Sequence, residues 1–368
     1  MKLFRYNNSH APDYVIVFST FFLVVFGLVM LASASSDLGQ EKFGDSYFYL
    51  KHQLLYGLSF GIIGFIAASK IYYKRYQHWA LFLLIVTIGF LLLIFTPIGV
   101  TSGGATRWLA LGPLTFQPSE LLKITFIVYL ASWLSGKTER RRSFFGGFMP
   151  FLIISGIVGI ILILQPSTSA AIILLGTALI VYFASGARIS YIIGAIILGL
   201  AALLVISYLT PYRWERIKSF LDPATDTQSA SYQITQARIA IGSGGLWGRG
   251  FGQSTTKLHY LPQPIDDSIF AVIAEELGFV GSAILIFAFV SLIIRSFFLS
   301  YRMNDDFGKL LLIGFGTLIA IQTFVHIGAI SGLIPLTGMS LPFISSGGTA
   351  LVIFMTISGI IVNISKYT

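Results

Sequence analysis

The chain has 368 residues, of which 55% are hydrophobic and only 11% are charged, and its formal net charge is +9. Soluble domains carry about 25% charged residues, so the composition excludes a soluble globular protein and predicts a polytopic membrane protein. The basic residues are scattered through short loops, which suits contact with anionic lipids and gives no indication of nucleic-acid binding.

Ten segments have the run of about 20 mostly apolar residues that a bilayer crossing needs. The sequence therefore predicts an all-α polytopic membrane protein in which residues 1–368 form a single integral membrane domain with ten transmembrane helices. In chain order, the predicted spans are 14–34, 53–73, 79–98, 119–135, 147–164, 169–186, 189–209, 267–294, 309–330 and 343–364.

The positions of Lys and Arg orient these spans, because cytoplasmic loops carry an excess of positive charge. With the N-terminus in the cytoplasm, the short outer loops hold three such residues, Lys42, Lys51 and Arg107. Both termini are then cytoplasmic, and a long extracytoplasmic loop, about 210–266, lies between helices 7 and 8. The inner side holds fourteen, namely Lys2, Arg5, Lys70, Lys74, Arg75, Lys137, Arg140, Arg141, Arg142, Arg188, Arg295, Arg302, Lys309 and Lys366.

The fourth span opens with two charged residues, Glu120 and Lys123, shortly after Arg107 and Pro118. Residues three apart lie on one face of a helix, so the two charges can pair. Such pairing allows both groups to enter the membrane. We expect the pair to help build a polar pocket just below the outer surface.

The long loop contains a glycine-rich run at 242–252, with six glycines in eleven residues. The run is either a mobile connector, which the spacing favours, or a backbone that approaches a phosphate. It lacks the Gly-Lys-Ser/Thr ending of a P-loop, so no nucleotide site is predicted.

Basic residues accumulate in the same loop with few acids nearby. They fit two interpretations equally well: ordinary surface charge that faces lipid head groups, or a cradle for a diphosphate. The candidates for such a cradle are Arg213, Arg216, Arg238 and Lys257, with Arg107 from the preceding outer loop.

Two adjacent carboxylates, Asp266 and Asp267, stand where this polar loop enters the eighth span, and Glu275 and Glu276 follow deeper in. Carboxylates are costly within an apolar span, and one at its outer mouth can meet both water and lipid-borne groups. This position suits chemistry on a substrate that is held in the membrane with its reactive head outside. Asp266 either helps to bind a metal ion or is solvated, and we expect it to be solvated.

The tenth span is preceded by a proline- and glycine-rich segment, 332–348, that includes Ser345. Pro335 and Pro342 exclude a plain helix there. Irregular backbone near membrane depth is tolerated against protein or a cavity, so the segment is a re-entrant turn, the wall of a substrate groove, or both.

Ordered motifs along the whole chain resemble the SEDS (FtsW/RodA/SpoVE) family, the proteins of shape, elongation, division and sporulation. The segments near Asp13 and Ser33–Ser35 resemble the FtsW branch more than the RodA branch. The matching segments are Ser33–Ser35, Arg107–Trp108, Phe116–Glu120, Gln165–Pro166, Tyr232–Gln233, Gly242–Gly245, Lys257–Pro262, Asp267–Ala271, Glu275–Glu276, Pro335 and Leu341–Gly348.

The resemblance implies a peptidoglycan glycosyltransferase in the bacterial cytoplasmic membrane that polymerises lipid II on the outer face. It implies Asp267 as the essential carboxylate, undecaprenyl diphosphate as the leaving group and a class B penicillin-binding protein as the partner. The chain departs from the family pattern at Asp266 (usually Thr), Gln263 (Glu), Ile265 (His), Ser167 (Asp) and His326 (Asn).

The expected reaction is glycosyl transfer with inversion, with Asp267 accepting the proton of the acceptor hydroxyl. A divalent cation, Mg²⁺ or Mn²⁺, could assist the basic residues, but the sequence identifies no metal ligand. The alternatives are an elongation-type polymerase, a lipid II flippase, whose ionisable residues would follow a midplane pathway, and a scaffold that only recruits a transpeptidase.

Overall fold

The computed structural model describes residues 10–102, 105–112, 114–136, 141–221, 230–257 and 261–368. Parts of the predicted long loop, 222–229 and 258–260, lie outside this described part. The helices are α1 Tyr14–Phe43, α2 Phe48–Lys70, α3 Lys74–Leu93, α4 Pro118–Leu134, α5 Phe144–Leu164, α6 Thr168–Ala184, α7 Ile189–Leu209, α8 Pro211–Leu221, α9 Ala230–Ser243, α10 Ile269–Arg302, α11 Asp306–Ile330 and α12 Gly348–Ser365.

The fold is predominantly helical, and eight of these helices have the length and apolar composition to cross a membrane. Each of the ten predicted spans overlaps one helix, although the bounds differ. The helices of the fourth and sixth spans, α4 and α6, have only 17 residues each. At 1.5 Å per residue that is about 25 Å, less than the hydrocarbon thickness of about 30 Å.

Helices α4, α11 and α12 are largely enclosed by the bundle, whereas α7 is almost wholly exposed at its edge. Helix α12 packs against α2, and α10 packs against both α11 and α1. The exposed side chains of the peripheral helices are mainly apolar, which suits contact with lipid tails.

His10, the first described residue, lies at the same end of the bundle as the C-terminal residues, where its N–H donates to the Lys366 carbonyl at 3.1 Å. An ion pair of 2.6 Å between Asp13 and Arg295 ties the start of α1 to α10 at this end. The opposite end carries Asp267 and the segments that surround it.

The predicted outer loop 99–118 contains a three-stranded antiparallel sheet, so the expectation of an all-α fold is wrong here. Its strands are β1 Gly99–Ser102, β2 Ala105–Leu111 and β3 Leu114–Phe116. In the register, Val100 faces Trp108 and Leu109 faces Phe116. Such β-branched, aromatic and apolar pairs stabilise a short antiparallel meander. The strands are only three to seven residues long, so the sequence did not predict them.

Helix α10 is interrupted at Gly278, which has non-helical angles of φ 66° and ψ −163°. The glycine-rich run forms hydrogen bonds with the backbone groups that the interruption leaves without helical partners. Gly250 N–H donates to the Glu276 carbonyl at 3.0 Å, and Phe279 N–H donates to the Gly245 carbonyl at 2.9 Å. A Cβ on Gly248 would overlap the Glu276 carbonyl, so the close approach requires glycine. The run is therefore a packed part of the bundle, neither a mobile connector nor a phosphate loop.

Candidate active site

The carboxylates of Asp266 and Asp267 belong to a short irregular segment immediately before α10, and both are partly buried. Ser345 Oγ donates to the Asp266 carbonyl at 2.8 Å and accepts the Leu341 N–H at 2.8 Å. Ser346 N–H donates to the preceding carbonyl, that of residue 265, at 2.9 Å. The segment before α12 thus fixes the backbone of the acidic pair.

A second anchor of the acidic pair comes from α9. Gln233 Nε2 donates to Ser268 Oγ at 2.9 Å, and that hydroxyl donates to the Pro262 carbonyl at 2.8 Å. These bonds hold the turn that carries Asp267. Gln233 belongs to one of the family motifs, but its role could not be predicted from the sequence because its partner is 35 residues away.

Two arginines, Arg107 of β2 and Arg216 of α8, lie within electrostatic reach of Asp267. Arg107 also donates to the Pro166 carbonyl, and Arg216 donates to the Leu336 carbonyl at 3.2 Å. Burial raises the pKa of the Asp267 carboxyl, and the two positive charges oppose that rise. The structure thus brings these three predicted site residues together.

Asp266 is not the solvated carboxylate that the sequence led us to expect. Burial, reinforced by the negative charge of Asp267, raises its pKa to about 7, although a hydrogen bond from Ser346 acts in the opposite direction. Two adjacent carboxyls in a partly buried site titrate as a coupled pair, and Asp266 is the member that holds a proton for part of the time near pH 7.

The order of ionisation predicts the effect of Asp266→Asn on the pH dependence of activity. The negative charge of Asp267 raises the pKa of Asp266, whereas the pKa of Asp267 itself is set by burial, Arg216 and Arg107. Asparagine is neutral, as Asp266 is while it holds its proton, so the acid limb of the pH–rate profile, which reports the ionisation of Asp267, is expected to stay where it is. Rates measured from pH 5 to 8 check this, and a limb that moves in either direction would contradict it.

The remaining basic candidates lie at the same end but are bound to backbone. Arg213 donates to the Ile163 carbonyl at 3.1 Å. Arg238 donates to the Gly332 carbonyl at 2.9 Å and lines a polar cavity of about 240 Å³ between α8 and α9, together with Thr235. Both remain proposals as substrate contacts.

Lys257 does not fit its predicted role in a diphosphate cradle. Its side chain is buried, and its ammonium group contacts Glu276 Oε1 at 3.0 Å, the Gly252 carbonyl at 3.0 Å and the Ser33 carbonyl at 3.1 Å. Three acceptors use the three donors of an ammonium, so none remains for a substrate. The adjacent Glu275 accepts a hydrogen bond from Ser254 Oγ at 2.6 Å.

Ser345 also departs from its expected substrate contact, because its hydroxyl is buried between two backbone groups, the Asp266 carbonyl and the Leu341 N–H. Glu120 and Lys123 form the expected pair at 2.6 Å, with both side chains buried. Lys123 Nζ also donates to Gln322 Oε1 at 2.9 Å, a partner that was not predicted from the sequence. The two charges thus compensate each other inside the bundle.

The described residues include no group of three or more acidic or histidine side chains placed to hold a metal ion. The carboxylates of Asp266 and Asp267 are nonetheless of the donor type that Mg²⁺ and Mn²⁺ prefer. A cation bound there would need further oxygen ligands from a substrate, and a diphosphate could supply them.

The chain matches known proteins over nearly its full length. Residues 14–368 match the FtsW/RodA/SpoVE family, described as cell cycle protein. The chain is 39% identical to a probable peptidoglycan glycosyltransferase FtsW of Geobacter sp. (strain M18), across 96% of both proteins. It is 36% identical to stage V sporulation protein E of Bacillus subtilis (strain 168), across 97% of this chain and 98% of that protein.

Solved structures share the fold. A chain from a peptidoglycan synthase complex, described as coordinating polymerization and crosslinking, superposes with a TM-score of 0.78 at 26% identity, covering 97% of this chain and 98% of that one. The rod shape determining protein RodA of Thermus thermophilus gives 0.71 at 26% identity, covering 96% and 97%. On the sequence match and on these structures, the chain belongs to the FtsW/RodA/SpoVE family of cell cycle proteins.

Proposed function

We propose that the protein is a peptidoglycan glycosyltransferase that polymerises lipid II. The observation that carries this assignment is Asp267, a carboxylate on a doubly anchored turn at one end of the membrane bundle, within electrostatic reach of Arg107 and Arg216. The carboxylate can accept a proton, and the guanidinium groups of the two arginines suit a leaving diphosphate. Relatives that carry the name peptidoglycan glycosyltransferase support the assignment.

In the proposed mechanism, the sugar hydroxyl of the acceptor attacks the anomeric carbon of the lipid-linked donor with inversion. Asp267 accepts the hydroxyl proton as the new glycosidic bond forms. The bond to the diphosphate breaks, and undecaprenyl diphosphate leaves with its negative charge facing Arg107 and Arg216. Mg²⁺ or Mn²⁺ held mainly by the diphosphate oxygens would share that charge.

The role in division is favoured over a role in elongation. Several similar curated proteins carry the name FtsW, at 36–39% identity over nearly the whole chain. We therefore propose an FtsW-like role in cell division. A class B penicillin-binding protein is the proposed partner, and the similar chain taken from a peptidoglycan synthase complex supports it.

We propose the bacterial cytoplasmic membrane as the location, with ten crossings, both termini in the cytoplasm and the Asp267 end outside. The cysteine-free chain allows a direct test with Gln253→Cys and Ser143→Cys, two exposed positions at opposite ends of the bundle. In intact cells, an impermeant thiol reagent is expected to label the first variant and spare the second. The reverse labelling would place Asp267 inside and exclude outer-face catalysis.

The assay that tests the proposed function supplies lipid II in detergent to the purified protein and its partner. Detergent removes sidedness, so a transferase makes glycan strands there, whereas a flippase has no reaction to perform. We expect polymer on gels. No polymer, together with lipid II translocation in sealed vesicles that depends on Glu275 or Glu276, would decide for transport.

A further inference from the structure

The irregular segment Leu336–Ser340, here called the clamped segment, lies before α12 and is bound by side chains from three helices. Four of its five carbonyls accept hydrogen bonds from side chains. The donors and distances are Arg216 Nη1 to Leu336 at 3.2 Å, Ser169 Oγ to Thr337 at 2.6 Å, His326 Nδ1 to Met339 at 2.6 Å, and Gln322 Nε2 to Ser340 at 2.9 Å.

The remaining residue of the clamped segment, Gly338, lies against the candidate base. A Cβ at this position would stand 3.4 Å from Asp267 Oδ2. The segment therefore forms the wall next to the reacting carboxylate, and its first carbonyl also binds Arg216. A shift of this backbone would change both the space beside Asp267 and the position of an arginine that faces it.

Two of the four donors, Gln322 and His326, come from one face of α11, because they are four residues apart. Both side chains are buried, with 0% and 1% exposure. Gln322 is itself oriented by Lys123, whose other partner is Glu120. The buried ion pair is thus connected, through one amide side chain, to the wall of the site.

We propose that Gln322 and His326 are positioning residues that hold the clamped segment at a fixed distance from Asp267. The proposal rests on the proposed glycosyltransferase function. Both side chains act through the backbone that they bind, since their donors face Met339 and Ser340 rather than the carboxylate. Their loss is expected to lower the rate of the chemical step.

His326 offers a sharp comparison, because only one of its ring nitrogens has a protein partner. Nδ1 donates to the Met339 carbonyl, whereas Nε2 is buried with no hydrogen-bond partner among the described residues. A single hydrogen-bond donor to the Met339 carbonyl is therefore all that the positioning role requires of this side chain. An asparagine can supply it, whereas leucine fills the space without a donor.

The test measures kcat and KM for lipid II polymerisation by the complex carrying His326→Leu, Gln322→Leu or His326→Asn. For the leucine variants, kcat is expected to fall by about tenfold or more with KM little changed, since a displacement of about 1 Å can cost about 100-fold. The asparagine variant is expected to recover most of the rate. The matched control is Thr323→Val on the same helix, because that hydroxyl is buried without a partner among the described residues and its removal should leave kcat unchanged.

Thermal unfolding and gel filtration accompany each assay. If a leucine variant does not fold, Ser169→Ala replaces it: it removes the bond to the Thr337 carbonyl with little change in volume, and the same loss of kcat is expected. Wild-type kcat in the folded leucine or Ser169 variants, or no recovery with asparagine, would overturn the positioning role. A wild-type complex that makes no polymer would instead contradict the proposed function.

Discussion

Asp267→Asn is expected to abolish glycan polymerisation, with kcat reduced by about 100-fold to 10,000-fold, the range for loss of a general base. The amide keeps the size of the side chain and cannot accept the proton of the attacking hydroxyl. The turn that carries it stays in place, because its anchors are Ser345, Ser346 and Gln233, which bind the backbone and Ser268 rather than the Asp267 carboxylate.

The measurement is polymer formed from lipid II by the purified complex, resolved on gels. The matched control is Asp266→Asn, which makes the same chemical change one residue away and is expected to retain most of the activity at pH 7. Unfolding in detergent should be close to wild type for both variants. Near-normal polymer from the Asp267 variant would remove this residue from the mechanism and leave the site without its base.

The contrast between these two aspartates shows how much of the site can be predicted from the sequence. A carboxylate at the mouth of an apolar span is costly, and that cost draws attention to Asp266 and Asp267 together, whereas the choice between them comes from the resemblance to the family motif. The spacing of Glu120 and Lys123 likewise predicts their pair, because contacts within one helix follow from its periodicity. Such local signals are sufficient to predict the positions of the helices and the existence of a polar site.

Contacts between distant segments could not be predicted in this way. Lys257 was expected to bind substrate, yet its partners include Ser33, which is 224 residues away, and no local pattern shows that contact. Gln322 and His326 look like ordinary polar residues of a span in the sequence. Their role follows only from the hydrogen bonds that they donate to the clamped segment in the folded chain. The glycine-rich run was ambiguous for the same reason, because the backbone groups that it binds lie in α10, at Glu276 and Phe279.

The buried pair Lys257–Glu276 leads to the second large effect that we expect. Glu276 is fully buried at the break in α10, where it accepts from Lys257 Nζ at 3.0 Å, from Ser33 Oγ at 2.7 Å and from Ser254 N–H at 3.4 Å. Its carboxylate therefore ties together three segments, namely α1, α10 and the chain that follows the glycine-rich run. The helix that begins just after Asp267 is held by these bonds.

Glu276→Gln is expected to lower the free energy of unfolding by about 3–5 kcal/mol, the usual cost of leaving a buried charge without its partner. The amide has nearly the size of the carboxylate, so little of the loss comes from packing. Denaturant titration in detergent micelles measures it. Asp37→Asn, which alters an exposed carboxylate of α1, is the matched control and should change stability by less than about 0.5 kcal/mol.

The double variant Glu276→Gln/Lys257→Met separates the charge from the other hydrogen bonds of the cluster. With both charges gone, no uncompensated ammonium remains, so we expect the double variant to be more stable than Glu276→Gln alone. The non-additivity of the cycle gives the coupling of the pair. A double variant that is no more stable than the single one would show that Ser33 and Ser254, rather than the lysine, account for the stabilisation at the break in α10.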